Sequence, residues 1–426
     1  MKRSRQIVMG LVALAVGAGA ALYHLNRIDE APLEVNESVQ ISPALVERGE
    51  YLARVGNCMA CHTVAGQKSF SGGRPIETPF GIIYSSNLTP SIKSGIGQWN
   101  SSEFWRAMHN GRSKEGRLLY PAFPYTSYSV VTREDSDAIW AYLRSQPAVD
   151  QPNLPNALDF PFNTQIALAG WRAVFFRPEK IETDAKKSPD WNRGAYLVQG
   201  LGHCAACHTP RNAFGATRDG DAFRGGLIPV QNWYAPGLGA LEEASVSKWP
   251  LEDVVSLLKI GVAPHATVSG PMAEVVFRST QYLNDDDARS MATYLRELPT
   301  QSVAKTDLPP PGKLSMERGA KIYQQYCAEC HGDKGQGDGT NAFPALAGNR
   351  AVTMHSPTNV VRMVLQGGYM PATQGNPRPQ GMPPFLHVLD DKEIAAVVTF
   401  IRNAWDNQGS ALDQADVYRV RERRGS

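Results

Sequence analysis

The sequence predicts an all-α fold: three tandem copies of one small unit with long loops, preceded by one N-terminal apolar helix. Three observations lead there. A five-residue motif occurs three times, as Cys58-Met59-Ala60-Cys61-His62, Cys204-Ala205-Ala206-Cys207-His208 and Cys327-Ala328-Glu329-Cys330-His331. Each copy is preceded by one helical pattern and followed by another, an internal repeat that fixes the architecture. Pro (30) and Gly (38) are plentiful and alternating β-branched runs are few, which suits short helices joined by turn-rich loops. At 426 residues the chain is long enough for about three domains.

The first element, within residues 1–30, opens on Met1-Lys2-Arg3-Ser4-Arg5 and continues as an apolar run from Ile7 to Tyr23. As a signal peptide it has a basic start and a small-residue exit at Ala18-Gly19-Ala20. As a membrane anchor it reaches the length a span needs, ~17–25 residues, and runs to Tyr23 without a polar exit region. The second reading is preferred. Either way the basic start stays in the cytoplasm and the body is exported.

The repeats occupy residues 40–150, 189–300 and 314–410. Each opens on a helix bearing Arg-Gly and then an aromatic: Arg48-Gly49 with Tyr51, Arg193-Gly194 with Tyr196, Arg318-Gly319 with Tyr323. The Gly is expected to let another helix approach closely. A middle helix follows, over Trp99–Gly111, Trp249–Gly261 and Thr358–Gly367, each ending at a Gly suited to a left-handed C-cap. Each unit closes on a helix with acidic residues at its start, favoured by the helix dipole: Asp135–Arg144, Asp285–Arg296 and Asp390–Trp405. A connector fills 151–188, where Phe160-Pro161-Phe162 and Trp171 to Phe176 are expected to be buried. A Pro-rich linker fills 301–313. The polar tail 411–426 is expected to be disordered.

Cys-x-x-Cys-His is the attachment signal of c-type haem: two thiols bond the haem and the next imidazole meets the iron. Three haem c groups are therefore expected, on Cys58 and Cys61, Cys204 and Cys207, and Cys327 and Cys330, with His62, His208 and His331 as proximal ligands. These motifs use all six cysteines. A tetrahedral zinc site from two Cys pairs would strand the third pair. A thioredoxin-like pair would need a βαβ pattern that is absent.

A methionine sulfur is the usual second axial ligand of an electron-transfer haem c. Repeat alignment assigns Met272, in Gly270-Pro271-Met272, and Met382, in Gly381-Met382-Pro383-Pro384, each expected on a loop stiffened by its flanking proline; Met370 is the runner-up to Met382. In the first unit the aligned loop reads Pro121-Ala122-Phe123-Pro124-Tyr125, and Phe123 cannot ligate iron. Met108 aligns with core positions of the middle helices. His109 is a candidate distal ligand, set against an ordinary surface histidine and against an open or water-ligated iron.

Several ordered stretches make the chain resemble the three-haem cytochrome c subunits of bacterial membrane-bound dehydrogenases. They are Thr78-Pro79-Phe80-Gly81 through Asn87-Leu88-Thr89-Pro90, Cys207-His208-Thr209-Pro210-Arg211-Asn212, Ser269-Gly270-Pro271-Met272-Ala273-Glu274, and Thr399-Phe400-Ile401-Arg402-Asn403-Ala404-Trp405. The resemblance implies three class I cytochrome c-like domains. It also implies a catalytic dehydrogenase subunit of molybdenum, PQQ or flavin type as partner, with a small subunit as a further one. Ubiquinone or a terminal oxidase would be the acceptor, at the periplasmic face of the inner membrane. Met272 and Met382 match the family's methionine ligands; Phe123 departs from the alcohol-dehydrogenase branch. Pro121-Ala122-Phe123-Pro124-Tyr125, with Leu158-Asp159-Phe160-Pro161-Phe162-Asn163, is closer to cytochromes paired with molybdenum hydroxylases acting on nicotinate, isoquinoline or aldehydes.

A net charge of +2 with dispersed Lys and Arg gives no nucleic-acid footprint. No nucleotide-binding fingerprint, nucleophile elbow or metalloprotease helix appears, so no catalytic site of the chain's own is expected. The alternative is a peroxidase-like haem enzyme using an open first iron, with His109 or Glu103 as acid-base group.

Overall fold

The computed structural model describes residues 2–27, 30, 39–218, 220–301, 310–339 and 342–422. Most of the Pro-rich linker lies outside them. The chain divides into two compact units, Met1–Ala53 with Cys58–Glu182, and Thr183–Ser426 with Arg54–Asn57.

In the first unit the N-terminal helix Lys2–Leu25 has a 21-residue span, Arg5–Leu25, that is long and apolar enough to cross a membrane and is unburied throughout. The opening helix Pro43–Val55 and the closing helix Arg133–Ser145 cross at Gly49. A Cβ there would lie 1.9 Å from the Ala138 carbonyl oxygen, so only Gly permits the approach. The middle helix Ser101–Asn110 begins at a capping box between Asn100 and Glu103 and stops at left-handed Gly111. A small antiparallel sheet joins Pro75–Thr78, Gly81–Tyr84 and Ala157–Leu158, with Pro75 opposite Tyr84 and Gly81 opposite Leu158. The connector then forms the helix Gln165–Phe175.

The second unit holds two further copies of the crossing. Pro189–Gln199 meets Asp285–Arg296 at Gly194, and Lys313–Tyr326 meets Asp391–Asn403 at Gly319. Cβ atoms at these glycines would lie 2.0 Å from the Ser290 oxygen and 2.2 Å from the Ala396 oxygen. The preceding arginine is reused as well. Arg48 bonds Asp135, Arg193 grips Asp287 with two bonds at 2.7 and 2.8 Å, and Arg318 reaches Glu393 at 3.3 Å. One geometry, an Arg-Gly pair clamped onto the first turns of a closing helix, thus recurs three times. The copies in the second unit also bond to each other: Tyr234 N–H donates to Asn359 Oδ1 at 2.9 Å, and Arg350 N–H donates to the His265 carbonyl at 2.9 Å.

Four expectations need correction. Gly367 has positive φ but extended ψ, unlike the left-handed caps Gly111 and Gly261. A Cβ at Gly367 would meet the Met382 carbonyl at 2.3 Å, so Gly lets that strand close in. Met272 lies on the first turn of a short helix, Pro271–Arg278, rather than on a stiff loop, because Pro271 suits a helix start. The polar tail is ordered through Gln414–Glu422: Val417 and Val420 are three apart, one helical face, and bury against the third closing helix. In the connector, Phe162 packs on Phe80 and Phe176 is buried, but Phe160 and Val174 face out.

Candidate functional site

Each motif folds as a single helical turn that ends on its histidine. In every copy the Nδ1 of that histidine bonds a backbone carbonyl: His62 to Ser86 at 2.7 Å, His208 to Pro236 at 2.7 Å, His331 to Pro344 at 2.9 Å. With Nδ1–H as the donor, the tautomer is fixed and Nε2 is left bare for a metal, as in metal sites whose ligands are oriented from behind. Burial lowers the pKa of all three imidazoles, which favours the neutral, ligating form.

Burial pushes the first thiol of each motif toward its protonated form. Burial, then the neighbouring Cys61, pushes Cys58 up to about 12; burial, then Cys207, does the same to Cys204. Cys327 rises to about 11. Reactive Cys-x-x-Cys pairs have lowered values instead. Among the described residues no three or more His, Cys, Asp and Glu side chains cluster as a metal site.

The third motif opens onto a lined cleft. A cleft enclosing about 900 Å³, mouth included, is lined by Cys327, His331, Met382, Met370 and Met363, with Val360, Val364, Phe385, Leu389, Val397 and Ile401 around them. Its wall is almost wholly apolar, as a site for a flat apolar group requires. A flat apolar macrocycle bonded at the Cys pair would fit these residues, with His331 and a methionine sulfur as donors in the same cleft. Met382 is held by the short antiparallel pair Gly368–Tyr369 and Gly381–Met382, Gly368 standing opposite Met382. Met370 shares the cleft, so the runner-up and the assigned residue are brought together. Thr267, Val268 and Ser269, just ahead of Met272, line the same cleft.

At the second site Gly270 has positive φ, and a Cβ there would strike the Trp233 ring at 2.7 Å. That contact sets where the chain turns into the Met272 helix.

The first site differs. Tyr128 is buried beside Cys58 and Cys61, and Phe123 packs against Tyr128 with centroids 5.4 Å apart. Met108 is buried and its sulfur accepts from Ser136 Oγ at 3.7 Å, a core role. His109 is buried too, stacked on Trp105 at 4.3 Å, and its Nδ1 has no hydrogen-bond partner. Burial, then Lys180, lowers its pKa, and the Ser129 backbone offsets part of that.

Sequence reasoning missed Ser86, Pro236, Pro344 and Tyr128. A backbone carbonyl leaves no residue-type signature. Tyr128 lay in plain view, three residues after Tyr125, with no spacing to mark it.

The cytochrome c family model matches residues 46–147 and 316–405, the first and third repeats. The chain is 38% identical to the cytochrome c subunit of a quinone alcohol dehydrogenase of Gluconacetobacter polyoxogenes, over 89% of this chain and 84% of that one. It is 37% identical to the cytochrome c subunit of gluconate 2-dehydrogenase of Pantoea cypripedii, over 90% and 91%. It is 40% identical over 95% of its length to one of the subunits of nicotinate dehydrogenase of Pseudomonas putida, but spans only 35% of that longer protein.

Proposed function

The chain belongs to the family of cytochrome c subunits of bacterial dehydrogenases, and from that premise we propose a three-haem relay that takes electrons from a catalytic dehydrogenase subunit to membrane ubiquinone or a terminal oxidase. The observation that supports three sites rather than two is the threefold recurrence of one construction: an Arg-Gly clamp, a Cys-x-x-Cys-His turn, and a histidine Nδ1 bonded to a backbone carbonyl. The middle repeat has all three features although the family model matches only its neighbours. When bound, covalent haem supplies one-electron chemistry with little nuclear rearrangement. The chain's own residues hold, orient and shield it. Cys58, Cys61, Cys204, Cys207, Cys327 and Cys330 tether it. His62, His208 and His331 present Nε2. Met272 and Met382 would offer sulfur to the iron, and the apolar wall of the third cleft would keep water from it.

At the first site we read Met108 as a core residue, its sulfur accepting from Ser136 Oγ. His109 ligation and an open iron remain the two readings there; the buried Nδ1 without a partner is what speaks for His109. On the stretches 121–125 and 158–163, which resemble cytochromes paired with molybdenum hydroxylases, we assign the partner to that class, and on the basic, apolar N-terminus we place the body at the periplasmic face of the inner membrane; a relative named for nicotinate dehydrogenase accords with the first. Intact-mass measurement on protein from a haem-attaching host is expected to show three haems. Two or fewer would overturn the relay as proposed. Purification from native membranes would identify the catalytic subunit.

A further inference from the structure

We propose that the connector helix Gln165–Phe175, with the turn at Phe160, forms a second membrane contact that lies in the lipid headgroup region beside the N-terminal span. The helix presents two unlike faces. Its inner face buries Leu168, Arg172, Ala173 and the following Phe176, with the Arg172 guanidinium stacked over the Tyr125 and Phe176 rings at 5.1 and 4.6 Å. Arg172 is the helix's single ionisable residue, so the outer face has no charge at all. That face exposes Ile166 (78%) and Val174 (71%), with Phe160 (82%) just before the helix. Lone exposed apolar residues are ordinary, but Ile166 and Val174 on one helix whose outward face has no charge, with Phe160 exposed beside Asp159 just before it, call for a partner.

What covers them is indicated by the neighbouring element. The apolar span ends at Leu25. The next residue, Asn26, is tied to the connector helix from both ends of its amide. Asn26 Nδ2 donates to the Ala169 carbonyl at 3.0 Å, and Arg172 Nε donates to Asn26 Oδ1 at 3.0 Å. Arg112 locks the junction by donating to the Asn26 carbonyl at 2.9 Å and pairing with Glu30 at 3.0 Å. A helix bonded to the residue at which a span leaves the hydrocarbon sits at interface depth, where an apolar face has lipid within reach. Exposed Arg177, Glu179 and Lys180 follow; Arg177 donates to the Phe176 and Ala173 carbonyls, and Lys180 is suited to headgroup phosphates. The occupant is therefore the bilayer surface itself.

The proposal rests on the N-terminal helix being retained as an anchor, and the test separates the two. Nitroxide labels would be placed at Ile166→Cys, Val174→Cys, Val12→Cys in the span and Lys68→Cys as a surface control. The full-length haem-loaded protein would be studied in phosphatidylcholine/phosphatidylglycerol vesicles. Intact haem spectra confirm folding of each variant, and Phe160→Cys replaces any that fails. Accessibility to oxygen but not to a water-soluble nickel chelate at 166 and 174, several-fold shifted from Lys68→Cys, is the expected result. Labels at 166 and 174 as open to nickel as Lys68→Cys would overturn the contact, even with Val12→Cys in lipid. Labels closed to both reagents would mean a protein covers this face and would overturn it equally. Nickel access at Val12→Cys would instead refute the anchor.

Discussion

Gly319→Ala tests the clamp on which the repeats are built. In most helices the change stabilises, by about 1 kcal/mol of propensity. Here the new Cβ would lie 2.2 Å from the Ala396 oxygen, 2.6 Å from the Phe400 Cβ and 2.8 Å from the Ala396 carbonyl carbon, where Cβ atoms do not approach below 3.0 Å. Two of these atoms are backbone, so no side-chain rotation relieves the clash and the helices must separate. Overpacking costs about 1–3 kcal/mol, and a backbone clash belongs at the upper end. Subtracting propensity leaves a net loss of about 2 kcal/mol. For a compact unit of the size of Thr183–Ser426 that lowers the midpoint by roughly 4–8 °C. Thermal unfolding of the haem-loaded protein by circular dichroism reads it directly. Gly170→Ala, where a Cβ meets nothing within 4 Å, is the matched control and should hold or raise the midpoint. If Gly319→Ala melts with Gly170→Ala, the close-crossing argument is wrong.

Other expectations follow from the same geometry. Arg193→Ala leaves buried Asp287 without its two-bond partner and should cost about 2–3 kcal/mol, whereas Arg318→Ala breaks a longer, exposed pair and should cost under about 1 kcal/mol; chemical denaturation compares them. Met272→Ala and Met382→Ala should each remove one methionine-iron absorption band, and a Met382→Ala spectrum that keeps its band would pass the role to Met370. Met108→Leu should leave the first haem's spectrum unaltered. His109→Ala should convert that haem from low to high spin if the imidazole ligates, and an unchanged spectrum assigns the open iron. Cys327→Ser with Cys330→Ser should lower the intact mass by one haem and destabilise the third repeat, whose apolar cleft would lose its filling.

The helix crossings were readable because Arg-Gly recurs at one place in each repeat and its partners fall on one turn of the closing helix. The same alignment exposed Phe123 as a departure, and the buried Met108 accords with its core alignment. Other features were not readable. The carbonyls behind His62, His208 and His331 come from Ser86, Pro236 and Pro344, three loops of different sequence, since any residue can supply that oxygen. The tail helix hides in polar composition because a few apolar residues, Leu412, Val417 and Val420, suffice to dock it. The outward Phe160 misled because aromatic content alone does not say which side of a segment meets protein and which meets something else.

The short stretch Thr267–Ser269 has a consequence for tuning. It forms part of the wall around His331 and Met382, and three residues later the same strand of chain delivers Met272. With Met272 as the proposed ligand, a substitution that shifts residues 267–272 would disturb that ligand and the wall around His331 and Met382 together. Attempts to shift one midpoint potential by altering residues 267–272 should move two.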